Sequence, residues 1–154
     1  MLNLITDRIQ SDVALVEALS QIKYADMSPQ QKAQWDGILK GSYDYRDLNR
    51  VQDAILYLRD LFVHYGYATP EFVMTTWGEY DKPTPAQLVK YLADVKAIKQ
   101  VFKVTSQLPP TVEGLSVEGA NQIERALLNV EDAIHRMEYG FIPCGEALCG
   151  GDNL

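Results

Sequence analysis

Two stretches of this chain place apolar residues at alternating steps of three and four, and this periodicity restricts the fold more than any other feature. The first stretch contains Leu48, Val51, Ile55, Leu58, Phe62 and Tyr65. The second contains Ala120, Ile123, Leu127, Val130, Ile134 and Met137. Such steps put the apolar side chains on one face of a helix, where another element must cover them. A coiled coil would show the same seam, but the neighbouring helical segments favour a bundle.

Local start signals predict further helices around these two. Ser28-Pro29-Gln30-Gln31 and Thr84-Pro85-Ala86-Gln87 each combine a capping hydroxyl, a proline at the first helical position and a glutamine at the third. That combination is a capping box, which satisfies otherwise unpaired amide groups at a helix start. We expect the helix after Ser28 to end near Gly41 and the helix after Thr84 to end near Val104.

The most clearly predicted helix begins after Asp44, with Asp47 offsetting the helix dipole in its first turn. A weaker periodic pattern predicts the first helix over residues 7–22, with Ile9 on its apolar face. Thr6 and Ser11 are alternative caps for that helix. The sequence therefore predicts an all-α fold, a small bundle of about five helices.

The helices near residues 46–65, 85–104 and 117–138 are expected to share one core. The positions expected to be almost fully buried are Leu48, Ile55, Leu58, Phe62, Leu92, Val95, Ile123, Leu127 and Val130. Residues 66–83 interrupt the helical pattern with glycines and prolines but contain Phe72 and Trp77. We interpret this segment as an ordered connector packed on the core, with a surface loop that binds a partner as the alternative.

After Gly140 the helical period is lost. We therefore divide the chain into a helical bundle domain, residues 1–139, and an extended, non-helical C-terminal tail or arm, residues 140–154. The tail is either a frayed terminus or an arm that becomes ordered on a partner. Under the second interpretation the partner-binding candidates are Phe141, Ile142 and Leu148, together with Trp77 and Phe72 of the connector.

The charge balance excludes some classes of partner. Fourteen Lys and Arg oppose twenty-one Asp and Glu, a net charge of -7, whereas nucleic-acid binding requires clustered basic residues. The scattered Lys90, Lys96, Lys99 and Lys103 are interpreted as a solvated helix face. No apolar run is long enough to span a membrane, and the first ten residues do not resemble a secretory signal. We expect a protein made in the cytoplasm that binds no nucleic acid.

Chemically reactive residues form no pattern that indicates catalysis. Asp44, Asp47 and Asp53 surround a helix start, while Glu131 and Asp132 are adjacent and point apart. The sequence has no glycine-rich phosphate loop and no nucleophile elbow. Cys144 and Cys149 are expected to be free thiols, with a disulfide or a metal site as alternatives. We therefore predict no enzyme activity, no catalytic residue, no cofactor and no metal.

Several segments, taken in order, resemble a family of structural proteins encoded in the tail gene clusters of phages and prophages of Gram-positive gut anaerobes. These segments are residues 4–8 (LITDR), 39–51 (LKGSYDYRDLNRV), 81–84 (DKPT) with 91–92 (YL), 108–110 (LPP), 120–124 (ANQIE) and 144–146 (CGE). The resemblance covers almost the whole chain. Ile9 departs from it, standing where a polar residue is commoner, and Cys144 and Cys149 vary the tail motif.

The resemblance implies a virion component at the tail tip, the baseplate or the tail fibre attachment, where helical modules join larger parts. Other tail and baseplate proteins would be its partners, and symmetric copies are expected because tails are built from rings. One alternative is a cytosolic helical adaptor or small regulatory protein. A second alternative is an enzyme whose site combines scattered residues such as Asp44, His64 and Tyr65.

Overall fold

The computed structural model describes the backbone of residues 1–140 and the side chains of residues 1–138. The helices are α1 (Gln10–Ser20), α2 (Pro29–Asp36), α3 (Tyr45–His64), α4 (Pro85–Val101) and α5 (Val117–Gly140), with a short 3-10 turn at Tyr24–Asp26. The described residues contain no strand, which confirms the predicted all-α fold with five helices. Residues 141–154, and with them most of the predicted tail, lie outside the described part, so the division at residue 139 stays a prediction.

Helices α3, α4 and α5 pack against one another and form a single core. All nine positions predicted to be buried have at most 5% of their surface exposed. Val51, Ile98 and Ile134 complete the apolar interior between the same helices. The periodic seam therefore belongs to a bundle within one chain, as predicted.

The three predicted helix starts are present. In α2, Gln31 N donates to Ser28 Oγ at 3.3 Å, and Ser28 N donates to the Gln31 side chain at 2.9 Å. Thr84 and Gln87 form the same pair of bonds at the start of α4. At α3, the Asp44 amide donates to Asp47 Oδ2 at 2.9 Å. These bonds satisfy amide groups that have no partner inside the helix.

The prediction for the first helix was wrong at its start. Helix α1 begins at Gln10, neither Thr6 nor Ser11 caps it, and Ile9 is 59% exposed instead of lying on a buried face. Residues 1–8 lie outside the helix because Arg8 is buried in the interior, with only 4% of the residue exposed. Asp12 then accepts the Ile9 amide at 2.9 Å and provides the cap.

Two predicted helix ends also differ. Helix α2 stops at Asp36, and Gly41 lies against the backbone of α1, where a Cβ atom would overlap the Asp12 carbonyl. The glycine therefore permits a close approach of two chain segments instead of ending a helix. Helix α4 stops at Val101, before the predicted Val104, because Lys103 takes a left-handed conformation with φ 51°.

The connector at residues 66–83 is ordered and packs on the core, as predicted. Trp77 is 7% exposed, and Phe72 and Met74 are half-buried against the same cluster. Two amide side chains of α3 hold its main chain. Asn49 bonds the N–H and C=O of Trp77 at 2.9 and 2.8 Å, and Gln52 bonds those of Thr75 at 2.9 and 3.0 Å.

Candidate functional site

A cluster of buried charged side chains lies where the N-terminal segment meets α3 and α5. Arg8 Nη2 donates to Asp47 Oδ1 at 2.7 Å and to Glu124 Oε1 at 2.6 Å. Arg50 donates to the same Glu124 oxygen at 2.8 Å and also to Asp47. Glu124 is fully buried. Two arginines thus balance two carboxylates, as burial of charge requires. We call these four residues the charge cluster.

The carboxylates of the charge cluster have little capacity left for chemistry. Glu124 Oε2 accepts from the Ile5 amide at 2.6 Å and from Arg50 Nε at 3.1 Å, so both its oxygens accept two hydrogen bonds. Asp47 Oδ2 accepts the Asp44 amide. A general base must be able to reach a substrate proton. The cluster instead fixes the N-terminal segment, residues 1–8. Burial alone would lower the pKa of Arg50, but its hydrogen bonds and charge pairing with Glu124 and Asp47 together outweigh burial and raise that pKa.

The N-terminal segment runs along α5 in an extended conformation. Its Leu2 amide donates to Glu131 at 2.9 Å, and its Ile5 amide donates to Glu124. At its far end, Arg8 N–H and C=O pair with the side chain of Asn121 at 3.1 and 2.9 Å. The helix thus holds the segment through its main chain.

Two tyrosines extend the polar interior beside the charge cluster. The hydroxyls of Tyr43 and Tyr91 lie 2.6 Å apart, and the guanidinium of Arg8 lies 5.4 Å from the centre of the Tyr43 ring. Burial raises the pKa of both phenols well above the ordinary value. Both hydroxyls therefore stay protonated at neutral pH, since no nearby group stabilises a buried phenolate enough to offset its desolvation.

Helices α1 and α2 form a hairpin with a different surface. They pack on each other, and the buried apolar residues of this region are Leu19 and Met27. A groove of about 280 Å³ runs between them and is lined by Leu15, Val16, Ala33, Ile38 and Leu39 among others. Ile38 is 72% exposed and Leu15 is 39% exposed. We call this feature the hairpin groove.

The predicted partner-binding residues have different positions. Trp77 lies in the core and Phe72 is half-buried against it, so Trp77 offers little surface to a partner. Phe141, Ile142 and Leu148 lie outside the described residues, as do Cys144 and Cys149. Partner binding by these residues stays a prediction.

The scattered residues considered for an enzyme site do not come together. Asp44 caps the start of α3, whereas His64 and Tyr65 stand at its end. A helix of 20 residues is about 30 Å long, so no substrate atom could contact both ends. Glu131 is buried and faces the N-terminal segment, while Asp132 is exposed and pairs with Arg136 at 2.8 Å.

Residues 1–140 contain neither a grouping of possible metal ligands nor a membrane-spanning helix. That part of the chain contains no group of three or more His, Cys, Asp or Glu side chains arranged to hold a metal ion. No helix there has both the length and the apolar character needed to cross a membrane.

Comparisons with known proteins add no relative: no family model, no curated protein and no solved structure matches this chain.

The charge cluster was not predicted from the sequence, because no local pattern links Arg8 with Glu124. One signal was present in the sequence. Glu124 directly follows the core position Ile123, and Glu131 directly follows the core position Val130 one heptad later. Acidic residues at the edge of an apolar seam are ordinarily solvated, so this repeat alone does not distinguish a covered helix flank from an exposed one.

Proposed function

We propose that this chain is a structural component of a phage tail, at the tip, baseplate or fibre attachment, and that it binds neighbouring tail proteins through the hairpin groove. The observation that carries the proposal is that Leu15 and Ile38 line the same groove of the hairpin and are both exposed. The resemblance of the sequence to proteins of tail gene clusters is the reason for proposing that this contact forms in a phage tail.

The energetics of the hairpin groove favour such a contact. Full burial of an aliphatic side chain contributes about 1.5–3 kcal/mol, and Ile38 has most of that gain still available. A single contact of this size would be weak. Repeated around a symmetric ring, the same contact becomes strong because each copy raises the effective concentration of the next. The protein is made in the host cytoplasm and acts in the virion as a homo-oligomer.

The hairpin is attached to a closely packed core through the chain around Gly41. Helices α3, α4 and α5 are closely packed. Gly41, in the chain that leads into α3, allows the backbone of α1 to lie close against it. A preformed surface loses less conformational entropy on binding than a flexible one.

The proposal is tested by cosedimentation of the tagged chain with particles purified from the producing cells. We expect Ile38→Ser to reduce the sedimenting fraction severalfold. The matched control is Val89→Ser, since Val89 is a β-branched residue on α4 with 70% of its surface exposed. Equal incorporation of both variants would refute the role of the groove.

The alternative of a cytosolic adaptor predicts a different result in the same assay. An adaptor would remain in the supernatant whichever residue is changed. A chain ending at Gly140, tested alongside, examines the separate prediction that Phe141, Ile142 and Leu148 contribute to partner binding.

A further inference from the structure

Asp36, the last residue of α2, and Gly37, which follows it, form a chemically reactive pair. Gly37 is the only glycine in the chain that directly follows an aspartate or an asparagine. A bond between the Gly37 nitrogen and Cγ of Asp36 closes a five-membered ring, and such an intramolecular reaction needs only the right local geometry. Because glycine has no Cβ atom, no side chain shields its nitrogen from the carboxyl group.

The structure leaves the Gly37 nitrogen available for this reaction. Its N–H has no acceptor among the described residues, whereas the N–H that follows α3, that of Tyr65, bonds to the Leu61 carbonyl at 3.1 Å. Arg46 Nη1 donates to the carbonyl of Gly37 at 2.8 Å and to that of Asp36 at 3.4 Å. This positive charge stabilises the negative charge that develops on the peptide unit when its N–H loses a proton.

The fold restrains the Asp36 side chain only weakly. Asp36 is exposed, and its carboxylate accepts a hydrogen bond at 2.8 Å from the half-exposed Tyr24, where solvent competes for the same groups. Helix α2 has eight residues, none of them buried. Opening the last turn of so short a helix requires little free energy. The geometry needed for ring closure is therefore accessible in the folded protein.

We propose that Asp36–Gly37 is a site of spontaneous succinimide formation and of isomerisation to isoaspartate in the folded protein. The Gly37 nitrogen attacks Cγ of Asp36, so that an N–Cγ bond forms and a Cγ–O bond breaks. The amide proton, and a proton that the carboxylate takes up from solvent, leave with that oxygen as water. Water then opens the ring at either carbonyl, which restores aspartate or gives isoaspartate, whose main chain runs through the side-chain carbon.

Isoaspartate at position 36 changes the hairpin groove. Gly37 and Ile38 belong to the lining of that groove. Isoaspartate lengthens the main chain by one carbon atom directly before them and leaves a carboxylate on the α-carbon. We therefore expect Ile38 to shift and binding through the groove to weaken as the protein ages. This consequence rests on the proposed function, whereas the reaction at Asp36 does not.

The test incubates purified full-length protein at neutral pH and locates isoaspartate by peptide mapping and by labelling with protein isoaspartyl methyltransferase. We expect isoaspartate to accumulate at position 36 before any other position. Its rate should lie within about tenfold of the rate in the capped peptide acetyl-Gln-Trp-Asp-Gly-Ile-amide, because the last turn of α2 opens readily. Absence of isoaspartate at position 36, or a slower rate than this in the folded protein, would overturn the proposal.

Variants test the chemistry. Gly37→Ala should slow the reaction severalfold because its methyl group shields the nitrogen, and undiminished isoaspartate in this variant would also overturn the proposal. Its Cβ atom would lie 3.0 Å from the Ala33 carbonyl oxygen. Asp36→Glu is therefore the second variant; it adds nothing there and should abolish the reaction, since its ring would have six members. Arg46→Gln should slow the reaction severalfold, and the exposed Arg136→Gln should not.

The effect on the groove is measured by the cosedimentation assay with fresh and incubated protein. We expect the sedimenting fraction of the unmodified sequence to fall as isoaspartate accumulates, and that of Asp36→Glu to stay constant. An equal fall in both proteins would refute the effect of isoaspartate on binding. If fresh protein does not sediment with particles, the proposed function fails, while isoaspartate at position 36 still establishes the reaction.

Discussion

The three-helix core and the α1–α2 hairpin both contain helices with apolar residues on one face, but these faces are covered to very different degrees. Val51, Ile55 and Leu58 of α3 have no exposed surface, whereas Val13 and Val16 of α1 remain half-exposed. Helices of 17 to 24 residues cover one another along their length, while α1 and α2 have only 11 and 8 residues. Periodicity thus identifies the face that needs covering, and helix length decides whether the chain itself can cover it.

The largest effect is expected in the charge cluster, which joins the N-terminal segment to the core. Glu124→Gln preserves shape but leaves Arg8 and Arg50 with one carboxylate between them. We expect a loss of about 4 kcal/mol in the free energy of unfolding, because a buried charge is left without its partner. Chemical denaturation measures this loss. Asp132→Asn, on the exposed face of the same helix, should change stability by less than about 0.5 kcal/mol.

Leucine truncation separates the two regions directly. Leu127→Ala opens a cavity among α3, α4 and α5 and should cost about 3 kcal/mol. Leu15→Ala removes the same atoms from the partly exposed hairpin groove and should cost less than about 1 kcal/mol. Urea denaturation measures both costs. They are calculated from the shifts of the unfolding midpoint, provided that the dependence of the unfolding free energy on urea concentration is the same in all variants. Similar costs for the two variants would show that the hairpin is as well packed as the core.

As the pH rises above 10, we expect the core to lose stability before the hairpin does. The pKa of Tyr43 and that of Tyr91 are raised by burial above the unfolded value of 10.0, so their contribution to stability is complete below pH 10 and is lost as the pH rises further. Each should remove about 1.4 kcal/mol per pH unit above pH 10. Denaturation at a series of alkaline pH values tests this slope.

Tyr24 of the hairpin is the matched tyrosine for that experiment. Its hydroxyl donates to Asp36 at 2.8 Å, and this bond raises its pKa, but the ring is half-exposed. We expect Tyr43→Phe to flatten the alkaline loss of stability and Tyr24→Phe to change it much less, because solvent weakens the exposed bond between Tyr24 and Asp36. If Tyr24→Phe flattened the alkaline loss of stability and Tyr43→Phe did not, that loss could not be assigned to Tyr43 and Tyr91.

The smallest effect comes from the two similar capping boxes, one in each region. Thr84→Ala at α4 should lower the free energy of global unfolding by about 1 kcal/mol. Ser28→Ala at α2 removes the same bond but should speed only local opening of the hairpin. Amide hydrogen exchange distinguishes these outcomes, since the core amides should respond to Thr84→Ala alone. A response of the α3 amides to Ser28→Ala would mean that the hairpin and the core unfold together.

The sequence predicted those features that depend on neighbours along the chain. Capping by Ser28, Asp44 and Thr84 is decided within four residues, and the seam is decided by helical period. The hairpin groove was not predicted, because the periodicity of α1 does not reveal that α2 is too short to cover it. Whether a predicted apolar face is buried depends on the length of the helix that packs against it. The sequence pattern of the face itself does not contain that length.

The charge cluster could not be predicted for a related reason. Arg8 and Glu124 are 116 positions apart, and each taken alone resembles a solvated charge. The same long-range pairing explains the wrong start of α1, since the burial of Arg8 holds residues 1–8 away from the helix. The recurrence of Glu124 and Glu131 beside the seam was the one local signal at this flank, and it does not distinguish a covered flank from a solvated one.

The three amide side chains Asn49, Gln52 and Asn121 have a consequence for how the protein tolerates change. Each one forms hydrogen bonds with the main chain of an extended segment. These hydrogen bonds do not depend on which side chains that segment carries. The connector is therefore a permissive site, at which outward residues such as Val73, which is 73% exposed, accept a fluorophore or affinity handle while the backbone stays anchored.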